Sequence, residues 1–540
     1  MAQGWYHVTP ATTTAPDILI IVLDTLRADR LSCYGYSRRT SPHLDRFASG
    51  GVLFERAISP AQWTIPAHAS LFTGEYPSTH GTAQIHDRHH PGLMTLAERL
   101  RCEGYRTVGF CNNPLLGVVD NGLDRGYDAF YNYGGAIPNR PNISEARPNM
   151  IKRAGVRLAR AGQRVVGPIQ DRFARSEILL KLALNPTLSR LWQGRVNFKG
   201  NTALSLRDLV GYLQTRRKRG RRQPLFAFVN LMEVHLPFQP RPRFIQRFAP
   251  YWNDDREARQ FMQDYNGQHY RWMVPMREPL PEKQDRVLND LYDAEIAFQD
   301  HLLRHLFAYL DQPDVRDNTM VVFTSDHGEG LNHHGFVGHS MVAYDDLLHV
   351  PLVVRYPRLY PAGVRVKRPV SMRRVFHTAL EAAGVTSLRD EADSDGPPVN
   401  LAALSLRTAV AGNDHDPDGD GVLAEVYPPD TLIHLMEAQD PAAIDEFRCR
   451  AMRRAIYHGT HKLISVDEQP DELFDTAADP GEMDNRLASE PERAAALHQA
   501  MEAMVAEAEL RRPETWAHER LRLQEDQALQ ERLRGLGYIE

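Results

Sequence analysis

The stretch W-T-I-P-A-H, residues 63–68, sets the hydroxyl of Thr64 one helical turn ahead of the imidazole of His68. Pro66 between them suits the first turn of a helix and threonine is a common N-cap, so capping alone would explain the pair. A nucleophile would gain from the same place. The positive end of the helix dipole and its N–H groups hold phosphate or sulfate, and His68, on the same face, can bond the Thr64 hydroxyl or an ester oxygen. In T-S-D-H-G-E, residues 324–329, an apolar run ends in the neighbouring carboxylate and imidazole of Asp326 and His327, a usable metal-ligand pair. D-I-L-I-I-V-L-D, residues 17–24, ends on a second carboxylate, Asp24. Asp24, Asp326, His327 and a Thr64 alkoxide would make a four-ligand site in which a metal lowers the pKa of the hydroxyl.

Those residues need a frame that brings distant segments together. Apolar runs at 17–24, 105–110, 225–232, 319–326 and 350–357 alternate with helical stretches, which predicts an α/β sheet core. Four runs lead into polar residues: Asp24; Asn112 and Asn113; Glu233 and His235; Asp326 and His327. The C-terminal edge of an open α/β sheet is where ligands bind. His86, His89 and His90 carry no such context and read as hydrogen-bonded structural histidines.

At 540 residues the chain exceeds one ordinary core and predicts a large catalytic domain with a smaller one. A net charge of -5 gives no overall polyanion-binding character, and no specific nucleic-acid partner is predicted. Cys33, Cys102, Cys111 and Cys449 lack C-x-x-C spacing, so reduced thiols are expected rather than a zinc knuckle or a disulfide framework. The first seventeen residues hold no Lys or Arg and no apolar h-region, which predicts a cytoplasmic protein.

Local charge is another matter. From Arg140 to Arg222 there are twenty basic residues against four acidic ones, an excess of +16, with apolar residues at loosely helical spacing. This reads as a basic helical insertion, either a solvated face or a peripheral docking surface for anionic membrane. A polar, acidic loop is expected over 385–421. Asp414, Asp416, Asp418, Gly419 and Glu425 satisfy the EF-hand calcium pattern, but Pro417 within the loop and the strand-like V-L-A-E-V-Y after it favour an exposed acidic turn. From about 487 onward, Glu/Arg pairs at helical spacing predict packing helices.

Six segments carry a resemblance: I-L-I-I-V-L-D-T-L-R-A-D-R-L-S-C-Y-G-Y, I-S-P-A-Q-W-T-I-P-A-H-A-S-L-F-T-G, F-V-N-L-M-E-V-H-L-P-F-Q-P, V-V-F-T-S-D-H-G-E-G-L-N-H-H-G-F-V-G-H-S, V-P-L-V-V-R-Y-P and H-K-L-I-S-V-D-E-Q-P-D-E-L-F-D-T-A-A-D-P-G. In order and spacing they resemble the sulfatase branch of the alkaline phosphatase superfamily. The resemblance implies an alkaline-phosphatase-like α/β/α sandwich, a smaller C-terminal α/β subdomain, and one metal beside a covalent nucleophile. The implied layout is a catalytic domain over 1–384 containing the insertion at 140–222, the acidic loop at 385–421, and a C-terminal subdomain with a helical tail over 422–540.

The departures shape the expected chemistry. That family has Cys or Ser, converted to formylglycine, where Thr64 stands, and Arg where His68 stands. Thr25 replaces the second Asp of its D-D pair, Asn112 and Asn113 fall near its sulfate-binding Lys and His, and His339 falls near its second lysine. A threonine nucleophile resembles the superfamily's phosphodiesterases and its phosphoglycerol and phosphoethanolamine transferases. The expectation is therefore a metal-dependent hydrolase of phosphate esters, a phosphodiesterase acting through a phosphothreonine at Thr64 on a small-molecule or lipid-linked substrate. His68 would steady the nucleophile, and His235 and His339 would bind ester oxygens or protonate the leaving group. Two Asp, one His and an alkoxide favour manganese or zinc, with calcium or magnesium as alternatives and Glu233 as the candidate for a second ion. The rival readings are a sulfate-ester hydrolase without formylglycine, a phospho-headgroup transferase, and a non-enzymatic basic binding module.

Overall fold

The computed structural model describes residues 15–117, 119–134, 140–141, 199–220, 223–267, 272, 275–339, 341–388, 399–412 and 421–513. Most of the basic stretch, the acidic residues Asp414, Asp416 and Asp418, and the segment after 513 lie outside them.

The strands of the main sheet are β1 (Asp17–Leu23), β2 (Val52–Ile58), β3 (Arg106–Cys111), β4 (Ala129–Asn132), β5 (Leu225–Leu231) and β6 (Thr319–Thr324). After the hairpin β7 (Gly330–Leu331) and β8 (Val337–Gly338) come β9 (His349–Arg355) and β10 (Val364–Ser371). The order is β10-β2-β9-β6-β1-β5-β3-β4. Only β9 runs against its neighbours, and β6, β1, β5, β3 and β4 pair in parallel. Parallel strands are covered on both faces, which explains the unbroken apolar runs. In β1, Ile18, Ile20 and Val22 enter one core with the helices Thr64–Thr73, Leu96–Cys102 and Arg374–Ala382. Leu19, Ile21 and Leu23 enter the other, with the helices Thr202–Lys218 and Glu282–Leu310. The result is an α/β/α sandwich.

All five apolar runs read as strands are strands of this sheet. Three others gave no clear signal: β2 carries Glu55 and Arg56, β4 is only four residues long, and β10 is an edge strand with Arg365, Lys367 and Arg368 among its apolar residues. Charge on an edge discourages pairing with another chain.

The expected loop over 385–421 holds more structure than its composition suggests. The short strands β11 (Ser387–Leu388) and β12 (Val399–Asn400) pair, and two short helices, Leu401–Leu404 and Leu406–Ala411, place Leu401, Leu406 and Ala409 in the core beside the helix Thr64–Thr73. Glu425 is not an exposed calcium ligand. It lies buried in a strand, accepts the Ser78 N–H at 2.8 Å and sits 3.4 Å from Arg454.

A second, antiparallel sheet follows, β13 (Gly421–Val426), β14 (Arg453–His458), β15 (His461–Val466) and β16 (Gln469–Asp475). One face packs on Ile58, Ala343 and Leu348 of the main body, the other on the helix Pro491–Leu510. A buried ion cluster joins the two: Lys462 donates to Asp345 at 2.8 Å and to Glu482 at 2.5 Å, and the Tyr457 hydroxyl donates to Asp345 at 2.7 Å. No helix among the described residues is long and apolar enough to cross a membrane, and the four cysteines are unpaired.

Candidate active site

Because the strands that bear the chemistry run in one direction, their C-terminal ends share one edge. Leu23 lies opposite Leu231, Val22 opposite Thr324, and Cys111 opposite Asn230. That register brings Asp24, Asn113, His235, Asp326 and His327 to the same rim, and the connection after β2 delivers Thr64.

Thr64 is the first residue of its helix and Trp63 takes the cap position, so the helix starts one residue earlier than the capping pattern predicts. The Thr64 hydroxyl lies 3.4 Å from Nε2 of His327. That nitrogen is also 3.8 Å from Oδ1 of Asp24 and 3.4 Å from Oδ2 of Asp326. The donor atoms of Asp24, Asp326 and His327 all fall within 4.8 Å of one another, and the residues are fully buried. His327 donates from Nδ1 to the Gly328 carbonyl at 2.9 Å, which leaves Nε2 with its lone pair facing this group. Gly328 is required here: a Cβ would lie 1.9 Å from the carbonyl oxygen of Asp346.

The surroundings hold the carboxylates from behind. Asn113 Nδ2 donates to Oδ2 of Asp24 at 2.7 Å, and Oδ1 of Asp326 accepts the His327 N–H at 2.9 Å and the Thr25 N–H at 3.3 Å. Thr25 adopts a positive φ of 60°, a strained conformation for a β-branched residue, and its carbonyl is fixed by the Tyr292 hydroxyl at 2.7 Å. The remaining oxygens, Oδ1 of Asp24 and Oδ2 of Asp326, are buried without a hydrogen-bond partner. Burial and the nearby Asp326 carboxylate push the Asp24 carboxyl up to about 7, and burial lifts Asp326 to about 7 as well. Two uncompensated carboxylate oxygens, an imidazole lone pair and a hydroxyl directed at one point are the donor set of a divalent cation, so the residues fit a single metal ion.

His68 takes a different role from the one its spacing suggested. Its Nδ1 donates to the backbone carbonyl of Thr64 at 2.9 Å and lies 3.5 Å from Oδ2 of Asp326, while Nε2 has no partner. The ring therefore braces the first turn of the helix rather than the hydroxyl. Burial between Phe72 and Phe228 lowers its pKa to about 3, so it stays neutral. His235 and His339 do come together, with ring centroids 5.0 Å apart, and His339 is 4.7 Å from His327. Burial holds His235 well below the usual imidazole range. His339 is pushed up despite its burial, because Glu329 sits 3.0 Å from its Nδ1 and Asp24 and Asp326 add their charge.

Sequence reasoning did not single out Glu329, although the carboxylate two residues beyond His327 was the available signal. It also did not foresee how the two asparagines divide. Asn113 turns to Asp24, whereas Asn112 donates to Thr202 at 2.9 Å. Glu233 stands outside the Asp24, Asp326 and His327 group, beside Lys199, which donates to its carbonyl at 2.7 Å and to Glu295 at 2.8 Å. His89 is a structural histidine, buried and bonded to the Leu93 carbonyl.

A parallel-rich α/β/α sandwich with a buried two-carboxylate, one-imidazole cluster beside a helix-borne hydroxyl defines a metallohydrolase of the alkaline phosphatase superfamily. The chain belongs to the sulfatase family, whose model matches residues 16–385, and is an ester hydrolase of that family, acting on sulfate or phosphate esters. It is 24% identical over 479 residues to the uncharacterized sulfatase YidJ of Escherichia coli (strain K12), covering 87% of this chain and 83% of that one. It is 26% identical over 392 residues to the iduronate 2-sulfatase of Mus musculus, covering 68% of this chain and 63% of that one. Among solved structures, the phosphonate monoester hydrolase of Agrobacterium radiobacter superposes with a TM-score of 0.62 at 20% identity, covering 91% of this chain and 96% of that one.

Proposed function

We propose that the chain is a phosphodiesterase that works through a covalent phosphothreonine at Thr64. The observation that carries this reading is the Thr64 hydroxyl at the head of its helix, 3.4 Å from the His327 nitrogen that also faces Asp24 and Asp326. A threonine offers one hydroxyl and no aldehyde hydrate, so it gives up its proton to solvent, attacks phosphorus as an alkoxide to form a threonyl phosphate that still carries the second alcohol, and must later release that phosphate monoester to water. Asp24, Asp326, His327 and Thr64 would hold one divalent ion, manganese or zinc by the mix of oxygen and nitrogen donors, and that ion supplies positive charge for the alkoxide and for a non-bridging ester oxygen.

The chain's own residues supply the rest. Asn113 fixes the orientation of Asp24, and the turn at Thr25 fixes that of Asp326. In the attack, the oxygen–phosphorus bond to Thr64 forms as the bond to the leaving alcohol breaks, and the alcohol oxygen takes a proton. His339, held by Glu329 and raised in pKa, is the proton donor at that oxygen. His235, kept neutral, hydrogen-bonds an ester oxygen. His68 holds the carbonyl end of the nucleophile's own residue, so the hydroxyl stays at the rim while the backbone is braced.

The test is a matched set of variants. Thr64→Ala is expected to fold and bind metal yet lose orders of magnitude in turnover, Thr64→Ser to keep part of it, and acid quenching of wild type during turnover of a phosphodiester to trap its phosphoryl group, still esterified to the second alcohol, on the peptide spanning Thr64. Phosphate trapped elsewhere, or an active alanine variant, would relocate the nucleophile. The family match supports a second reading, a sulfate-ester hydrolase using the same residues. Comparing kcat/KM for an aryl sulfate and an aryl phosphodiester on one preparation separates the two.

A further inference from the structure

On the outer surface of the helical layer formed by Glu282–Leu310, five arginines from four segments gather. They are Arg39 from the loop ahead of the helix Pro42–Ser49, Arg46 from that helix, Arg243 and Arg247 from the helix Pro242–Phe248, and Arg304 from Glu282–Leu310. Contacts fix their proximity: the His43 and His301 rings lie 6.4 Å apart in the middle, Arg304 donates to the His301 carbonyl at 2.5 Å, and Arg247 donates to the Arg39 carbonyl at 2.6 Å. Four of the five are exposed and Arg304 is half-buried.

None of the five forms an ion pair with a described carboxylate. The nearest acids are engaged elsewhere. Asp45 accepts from the hydroxyls of Ser32 and Ser41, and Asp290 and Asp293 pair with Arg38. Asp300 is buried beneath, accepting the N–H groups of His43 and Leu44. Two guanidinium groups are stacked on aromatic rings, Arg243 on Phe244 at 4.5 Å and Arg247 on Phe248 at 5.0 Å, which reduces the freedom they lose when a ligand binds. The local field registers on the histidines. Burial first, then Arg304, Arg46 and Arg39, hold His43 below its ordinary value, and burial, Arg304 and Arg243 lower His301 to about 4.

We propose that this face docks a linear polyanion, a chain of closely spaced phosphate groups. Guanidinium forks match phosphate oxygens, and cations spread over four segments need a ligand with several charges rather than one small anion. A membrane is the weaker fit. The exposed large hydrophobic residues among those described are Met483 and Leu510, both in the C-terminal region, so this face offers no such residue for lipid insertion. The face is also displaced from the metal cluster: Arg304 lies about 18 Å along the helix from Tyr292, whose hydroxyl holds the Thr25 carbonyl beside Asp24 and Asp326. Docking therefore does not rest on the reading of Thr64.

The experiment is fluorescence anisotropy of end-labelled inorganic polyphosphate with the full chain. Neutralising about five phosphates predicts that affinity falls on the order of 100-fold between 50 and 200 mM salt. The double variant Arg243→Glu/Arg247→Glu is expected to bind about tenfold or more weakly, with unchanged circular dichroism and unchanged turnover of a small phosphate ester. Arg101→Glu, exposed on the other helical layer, is expected to bind like wild type. The proposal is overturned if wild type does not bind polyphosphate at 50 mM salt, or if the double variant binds as tightly as wild type. Tighter binding to phosphatidylserine vesicles or to a sulfated polysaccharide, lost in the same double variant, would also overturn it by assigning the face to another partner.

Discussion

Metal binding at Asp24, Asp326 and His327 is expected to depend steeply on pH, and the steepness follows from the buried carboxyls. Both aspartates must be ionised to bind a cation, and in the metal-free protein they titrate as a close pair near 7. His327, lowered to about 4 by burial and by the neighbouring His339, is neutral throughout the neutral range and adds no proton. At pH 6 each carboxyl is ionised in about one molecule in ten, so both together in about one in a hundred. Apparent affinity should therefore rise about 100-fold from pH 6 to pH 8 and level off above it, with close to two protons released per ion at the acid end. Isothermal titration calorimetry with manganese or zinc in buffers of different ionisation enthalpy measures both quantities. Asp326→Asn should weaken binding and halve the proton release, because one titrating group remains. An affinity unchanged between pH 6 and pH 8, or full metal content in Asp326→Asn by elemental analysis, would refute the ligand set.

Three further outcomes follow from particular contacts. Glu329→Ala removes the partner that orients His339 and is expected to lower kcat about 10- to 100-fold, while Glu329→Gln, which keeps an acceptor oxygen, should lose less; steady-state kinetics on both variants checks it. Lys462→Met strands Asp345 and Glu482 in a buried site, and urea unfolding should show a loss of about 3–5 kcal/mol with the metal site intact in any molecules that stay folded. Chelation is expected to abolish turnover, with manganese or zinc restoring it better than calcium, measured as activity against free ion concentration.

Much of the frame was readable because parallel strands are buried on both faces and so appear as continuous apolar runs ending in polar residues. That pattern marked Asp24, Asp326, His327 and the region of His235, and Thr64 with Pro66 marked the start of the helix Thr64–Thr73. The strands that mix charge into their sequence, β2 and β10, gave no such signal. The helices at 401–411 were hidden within an acidic, glycine-rich surrounding composition, and burial of Leu401 and Leu406 decides their state rather than local propensity.

Sequence alone determined which residue types stand at each strand end, because side-chain chemistry and the period of the apolar pattern are local properties. Only the tertiary structure decided how those side chains divide their bonds. Whether His68 meets the Thr64 hydroxyl or its carbonyl depends on a ring wedged between Phe72 and Phe228. Whether Asn112 or Asn113 reaches Asp24 depends on the segment around Thr202 crossing over β3. The five arginines from four segments illustrate the same limit at larger scale, since their charges add only after helices remote in sequence pack side by side, and electrostatic potential follows distance in space rather than along the chain.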